Sequence, residues 1–210
     1  MIIREFTKAY NKVNEDIYRI ETLDEREVLI CVADGMGGLS LGDKCAACAC
    51  EGIHRYVKSH VNVNENEVDW TRAFTYADSL IKDLSIECKS NMGTTLSSLI
   101  LNQSMCSVAW QGNVRVYLLR DQHLEQINYD HVMNIGYGMK KISRCLKGGG
   151  LREDVPSVSF NTMKGDVIYI CTDGFYELCE DLLGTTEDIR DKFNEFCFED
   201  DATCIQIVLN

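Results

Sequence analysis

Acidic residues stand at the borders of apolar runs at four places in this chain. Asp34 follows Val28 to Ala33, Asp173 follows Val167 to Cys171, the pair Asp200-Asp201 precedes Thr203 to Leu209, and Glu15-Asp16 precedes Ile17. If these runs are neighbouring strands, the carboxylates converge on one spot and repel one another strongly unless a counter-charge joins them. Hard divalent cations such as magnesium or manganese answer that need, because they accept all-oxygen ligation. Gly35, directly after Asp34, leaves room for a backbone carbonyl to approach an ion. Taken singly, Asp34-Gly35 and Asp173-Gly174 read as turn formers. Their joint position, each at the end of an apolar run, is what points to a metal site.

The elements that must position these groups are legible in the periodicity. Val28 to Ala33 is a continuous apolar stretch of strand length, the pattern of a buried strand. Ser40 and Asp43 form a capping-box-like start to a helix whose apolar stripe runs through Leu41, Cys45, Cys48, Ala49, Ile53, Tyr56 and Val57. A second helical stripe follows in Trp70, Ala73, Phe74, Ala77, Leu80, Ile81 and Leu84. After Gly93 the pattern changes to strands over Thr95 to Leu101, Met105 to Trp110, Val114 to Leu119 and His123 to Ile127. Asn102-Gln103, Gly112-Asn113 and Asp121-Gln122 punctuate them, so they read as a meander of hairpins. A helix near Glu187 to Phe196 and a strand from Thr203 to Leu209 close the chain. Strands cluster and helices cluster, which predicts an α+β fold of antiparallel sheets covered by helices.

Composition bounds the function. At 210 residues, with no repeat, no low-complexity tract and a single proline at Pro156, the chain is expected to form one domain over residues 1–210. The absence of a long apolar run and of a signal-peptide pattern in MIIREFTKAY predicts a cytoplasmic protein with no membrane partner. Eleven cysteines, an odd number without an export signal, are read as reduced thiols. Cys45, Cys48 and Cys50 lack a second group at zinc spacing and sit among Ala46, Ala47 and Ala49, so they are expected to pack as small apolar residues. A formal charge of -12 argues against a nucleic-acid partner, which demands clustered Lys and Arg.

An ordered series of short blocks resembles the motifs of the metal-dependent, type 2C serine/threonine protein phosphatases. It comprises Asn14-Glu15-Asp16, Val32-Ala33-Asp34-Gly35-Met36-Gly37-Gly38, Met92-Gly93-Thr94-Thr95, Gly112-Asn113-Val114-Arg115, Asp130-His131, Thr172-Asp173-Gly174 and Asp200-Asp201-Ala202-Thr203. The resemblance covers nearly the whole chain, and the Asp-Gly-Met-Gly-Gly and Gly-Thr-Thr blocks are its specific parts. It implies a four-layer α-β-β-α sandwich with two metal ions, Mn²⁺ or Mg²⁺, at one end. By that resemblance Asp34 bridges both ions and Asp173 and Asp200 complete one shell, while the Gly35 carbonyl and Glu15 serve the second, with Asp16 in support. The implied reaction is in-line attack on a phosphoserine or phosphothreonine ester by water activated between two ions roughly 3.5 to 4 Å apart. The implied partners are a phosphorylated protein and a cognate serine/threonine kinase.

The chain also departs from the family pattern. Where the family places a phosphate-gripping arginine, four residues before Glu15, this chain has Asn11. The substrate contact then falls to Asn11 itself and to a point charge from Lys12 or Lys8, unless both lysines are ordinary surface residues. Asn113 replaces a third-ion aspartate, so no strong third site is expected. Met36 stands where some relatives carry a histidine acid, so leaving-group protonation falls to metal-bound water or another residue, with His131 a candidate against a structural hydrogen-bonding role. Only sixteen residues separate His131 from Gly148, a short flap, and Gly148-Gly149-Gly150 reads as a flexible loop at its edge or a plain surface turn. These losses motivate the alternative of a non-catalytic, phosphatase-like module that binds a phosphoprotein or regulates a kinase.

Overall fold

A computed structural model describes residues 1–24, 27–36, 41–60, 68–102 and 104–210. Among these residues twelve strands form two five-stranded antiparallel sheets and a two-stranded hairpin. The first sheet contains β1 (Ile2–Lys8), β6 (Arg115–Arg120), β7 (His123–Gln126), β11 (Val167–Cys171) and β12 (Ala202–Val208), in the order β1-β12-β11-β6-β7. The second contains β2 (Asp16–Thr22), β3 (Val28–Gly35), β4 (Thr94–Leu101), β5 (Met105–Gln111) and β10 (Ser157–Asn161), in the order β10-β5-β4-β3-β2. The hairpin pairs β8 (Val132–Asn134) with β9 (Lys140–Ile142).

Helices α1 (Gly42–His60) and α2 (Trp70–Cys88) cover the second sheet, and α3 (Asp173–Cys179) and α4 (Arg190–Glu195) cover the first. The result is the four-layer α-β-β-α sandwich. β3 shows why its sequence is apolar without alternation: Leu29, Cys31 and Ala33 face the helices, whereas Val28, Ile30 and Val32 face the opposite sheet. Across the sheet interface they meet Val116, Leu118, Ile168, Ile170, Ile205 and Ile207. Cys45 and Cys50 are buried among apolar neighbours under α1, as small packing residues. Among the described residues no helix is long and apolar enough to cross a membrane.

Several elements differ from the sequence expectation. The strands after Gly93 do not form one meander: β4 and β5 stay in the second sheet, and β6 and β7 make a hairpin in the first. The chain crosses between sheets at Gly112-Asn113, where Gly112 takes φ +122°, a backbone state that an L side chain rarely adopts. Trp110, Val114 and Val116 face the same inter-sheet core, so alternation is identical for a crossing and for a hairpin. The Asp-Gly pairs are not turns either: Asp34-Gly35 ends β3, and Asp173-Gly174 opens α3. The expected helix over 187–196 contracts to α4, and Leu41 lies outside α1 at φ 63°. Ser40 of the expected cap, Gly37 and Gly38 of the motif, and Gln103 lie outside the described residues.

The triple-glycine segment is pinned rather than free. The buried Asp78 carboxylate on α2 accepts backbone N–H groups from Lys147 (2.9 Å), Gly148 (2.8 Å) and Gly150 (2.8 Å). One buried acceptor therefore satisfies three donors that would otherwise be stranded on irregular backbone. Replacing Asp78 by Ala is expected to cost about 2 to 4 kcal/mol in urea unfolding and to accelerate amide exchange at 147–150 selectively. Unchanged exchange there would contradict the pinning.

Candidate metal centre

Antiparallel pairing brings the strand-end carboxylates to one edge of both sheets. The start of β2 meets the end of β3, with Asp16 opposite Asp34 and Asp34 opposite Thr95. In the other sheet β11 ends where β12 begins, which sets Asp173 beside Asp200 and Asp201. Glu15, Asp34, Gly35, Met36, Thr95, Ile142, Asp173, Asp200 and Asp201 line a cleft of about 250 Å³. Of the residues expected to form the site, Glu15, Asp34, Gly35, Asp173 and Asp200 are brought together. Asp16 stands behind them, only 4% exposed.

Two hydrogen-bonded ties lock the sheets to each other at this edge. Thr172 Oγ1 donates to Asp16 Oδ2 at 2.7 Å, while the same oxygen accepts the Thr203 N–H at 2.9 Å. Asp201 accepts the Tyr10 N–H on one carboxylate oxygen (2.7 Å) and the Glu15 N–H on the other (2.6 Å). Sequence reasoning assigned the ligand role to Asp200 and gave Asp201 no role. The adjacent acid pair was the only available hint that one carboxylate organises the loop on which the other acts. Asn113 donates to Asp173 Oδ2 at 2.9 Å, and the Gly174 N–H donates to Oδ1 at 3.0 Å, so both oxygens of Asp173 are oriented.

The electrostatics are those of crowded, poorly hydrated acids. Burial raises Asp34 well above the usual carboxylate range, and the nearby Asp173, Asp16, Asp200 and Asp201 raise it further. Burial likewise raises Asp16 well above that range and raises Asp173, with the Asn113 hydrogen bond opposing the shift at Asp173. Glu15 is raised by burial first, then by Asp201, Asp43 and Asp200, against a lowering contact from the Gly42 backbone at the start of α1. Among the described residues no three of His, Cys, Asp or Glu gather tightly enough to hold an ion by themselves.

The donor set nevertheless fits a hard cation. Every polar group lining the cleft is an oxygen donor or backbone, and the buried Thr95 Oγ1 has no hydrogen-bond partner. Gly35 is required by space, since a Cβ there would lie 2.5 Å from the carbonyl carbon of Gly42 and 2.9 Å from the Glu15 carbonyl oxygen. Its N–H donates to that Glu15 oxygen at 3.1 Å.

Other candidates are placed elsewhere. Asn11 and Lys12 are exposed on the loop between β1 and β2 and do not line the cleft, because Asp201 grips that loop on either side of them. Lys8 donates to the Phe196 carbonyl at 2.9 Å and lies over the Phe198 ring, so it is not the point charge considered for the phosphate. His131 is buried, its Nδ1 accepts the Gly112 N–H at 3.0 Å, and burial pushes its pKa down to about 4. In the neutral ring Nδ1 is engaged as acceptor and the proton sits on Nε2, which is buried without a hydrogen-bond partner. Arg115 is committed to Asp130 through Nη2 at 2.8 Å and stacks on Tyr176.

Comparison with known proteins agrees with this architecture. The serine/threonine phosphatase stp of Listeria monocytogenes serovar 1/2a is 25% identical over 211 residues, covering 87% of this chain and 82% of that protein. The catalytic domain of the serine threonine protein phosphatase PstP, solved with two manganese ions, superposes with a TM-score of 0.76 at 21% identity over 98% of this chain and 95% of that one. Stp1 from Staphylococcus aureus superposes with a TM-score of 0.80 at 19% identity over 99% and 94%. The model of the protein phosphatase 2C family matches residues 8–202, and the chain belongs to that family.

Proposed function

We propose that residues 1–210 act as one catalytic domain that hydrolyses phosphoserine and phosphothreonine esters in protein substrates with two divalent cations, Mn²⁺ or Mg²⁺. The observation that carries this reading is the convergence of Glu15, Asp34, Asp173 and Asp200 on one small, oxygen-lined cleft. In this reading Asp34, Asp173 and Asp200 would hold one ion, and Asp34, Glu15 and the Gly35 carbonyl would serve the other. The ions, when bound, supply an activated water and neutralise the phosphoryl oxygens.

The chain's own contribution is orientation and exclusion. Asn113 fixes the rotation of Asp173, Asp16 and Thr172 hold the two sheets in register behind the ligands, and Asp201 holds the loop that carries Glu15. Ile142 from the short flap supplies an apolar wall. With no arginine lining the cleft among the described residues, phosphate affinity is weak, and a strong third ion has no aspartate at 113. A serine/threonine kinase acting on the same cytoplasmic proteins would supply the substrate.

Raised carboxylate pKa values set the sign of the cleft's own contribution to the pH response. Between the ordinary and the raised values these acids hold more protons in the folded than in the unfolded chain, so their contribution to stability declines as pH rises through that window, while the lowered His131 and His54 act in the opposite sense. A cation that binds only the folded state offsets the loss. In scanning calorimetry manganese should therefore raise Tm more at pH 7 than at pH 5, because protons compete with the ion for these acids. A manganese response equal at both pH values would argue against ligation by these acids. Asp173→Asn should lower kcat/KM toward an aryl phosphate by at least about 100-fold and reduce the manganese-induced Tm shift. Full activity in that variant would sink the assignment.

A further inference from the structure

Residues 140–152 read Lys-Lys-Ile-Ser-Arg-Cys-Leu-Lys-Gly-Gly-Gly-Leu-Arg, five basic residues without an acid, in a chain whose net charge is -12. They line most of a groove of about 650 Å³ whose walls carry Lys141, Arg144, Lys147 and Arg152. Glu153 is the one acidic side chain on that lining, and it is paired with Arg144. Lys141, Lys147 and Arg152 are exposed and make no ion pair among the described residues. A charge concentration of this sign in an acidic chain is not the average surface.

The groove opens beside the metal cleft. Ile142 lines both, and Leu146 bridges Thr94, whose partner across the sheet is Gly35. Its floor is preformed, because Asp78 holds the backbone at Lys147, Gly148 and Gly150. The flap hairpin rises over it with half-exposed Met133, Ile135 and Met139 and a fully exposed Tyr137 at the tip. The cleft, at about 250 Å³, admits a phosphoryl group but not a polypeptide. The chain flanking a phosphorylated residue must therefore cross neighbouring surface, and the groove is a concave surface that meets the cleft at Ile142.

We propose that this groove binds the polypeptide flanking the phosphorylated residue and selects substrates rich in Asp and Glu there, with Lys141, Lys147 and Arg152 as specificity-determining contacts. The proposal rests on the phosphatase reading of the adjacent cleft. It also accounts for substrate capture by a site whose own phosphate grip is weak, since the attraction is moved from the phosphate to its surroundings.

The test uses the full chain with manganese, an aryl phosphate, and two phosphoserine peptides of equal length flanked by glutamates or by glutamines. The glutamate peptide is expected to show about tenfold higher kcat/KM at low salt, expressed in KM, with the advantage shrinking as salt approaches about 0.5 M. In Lys141→Ala/Lys147→Ala/Arg152→Ala, the glutamate-to-glutamine ratio should fall close to one. Equal turnover of both peptides by the unaltered chain, or an unaltered ratio in the triple variant, overturns the proposal. So does equal competition by a single-stranded oligonucleotide of matched charge. Loss of all turnover, aryl phosphate included, in the unaltered chain would count against the phosphatase reading instead. Fluorescence anisotropy with labelled peptides then decides the groove: tighter glutamate-peptide binding that the triple variant abolishes supports it, and equal binding overturns it.

Discussion

Bringing Glu15, Asp34, Asp173 and Asp200 to one cleft costs free energy, because Asp34, Asp173 and Glu15 lose water and gain like-charged neighbours. The sandwich exists in a form that can bear this cost. Two sheets bury a continuous apolar layer from Val28, Ile30 and Val32 on one side to Ile168, Ile170, Ile205 and Ile207 on the other. That layer fixes the sheets against each other, and the acids stand at its rim, where solvent and ions can reach them. Repulsion at the rim is set against burial in the layer.

The second requirement is orientation, which the chain meets with neutral or shared hydrogen bonds rather than with cations. Asp16 takes a hydroxyl from Thr172, Asp173 takes an amide from Asn113, and Asp201 takes two backbone N–H groups from the loop of Glu15. None of these partners carries a positive charge, so the cleft keeps its demand for a divalent counter-ion while its ligands are held in place. An arginine in the same positions would neutralise the acids and compete with that ion. Lys141, Arg144, Lys147 and Arg152 lie across Ile142, lining the neighbouring groove rather than the cleft of the ligands.

The short flap is consistent with this division of labour. Its hairpin is too brief to enclose the cleft, yet its base is tied to α2 through Asp78 and to β4 through Leu146. A rigid, shallow wall guides an extended polypeptide better than it excludes solvent, which suits a protein-sized substrate.

The sequence by itself determined which carboxylates sit at strand ends, that β3 is buried on both faces, the stripes of α1 and α2, and the family to which the motif order belongs. Those features are local, written in periodicity and in adjacent residues, and they survive any arrangement of the elements. Tertiary structure alone decided that β5 and β6 lie in different sheets, that Asp201, beside Asp200 on the cleft lining, also grips the loop of Glu15, and that Asn11 and Lys12 lie outside that lining. It also decided that the glycine-rich segment is pinned by an aspartate about seventy positions earlier in the chain. Each of these rests on a contact between residues far apart in sequence, and an alternating apolar pattern or a run of glycines is the same whichever partner eventually satisfies it.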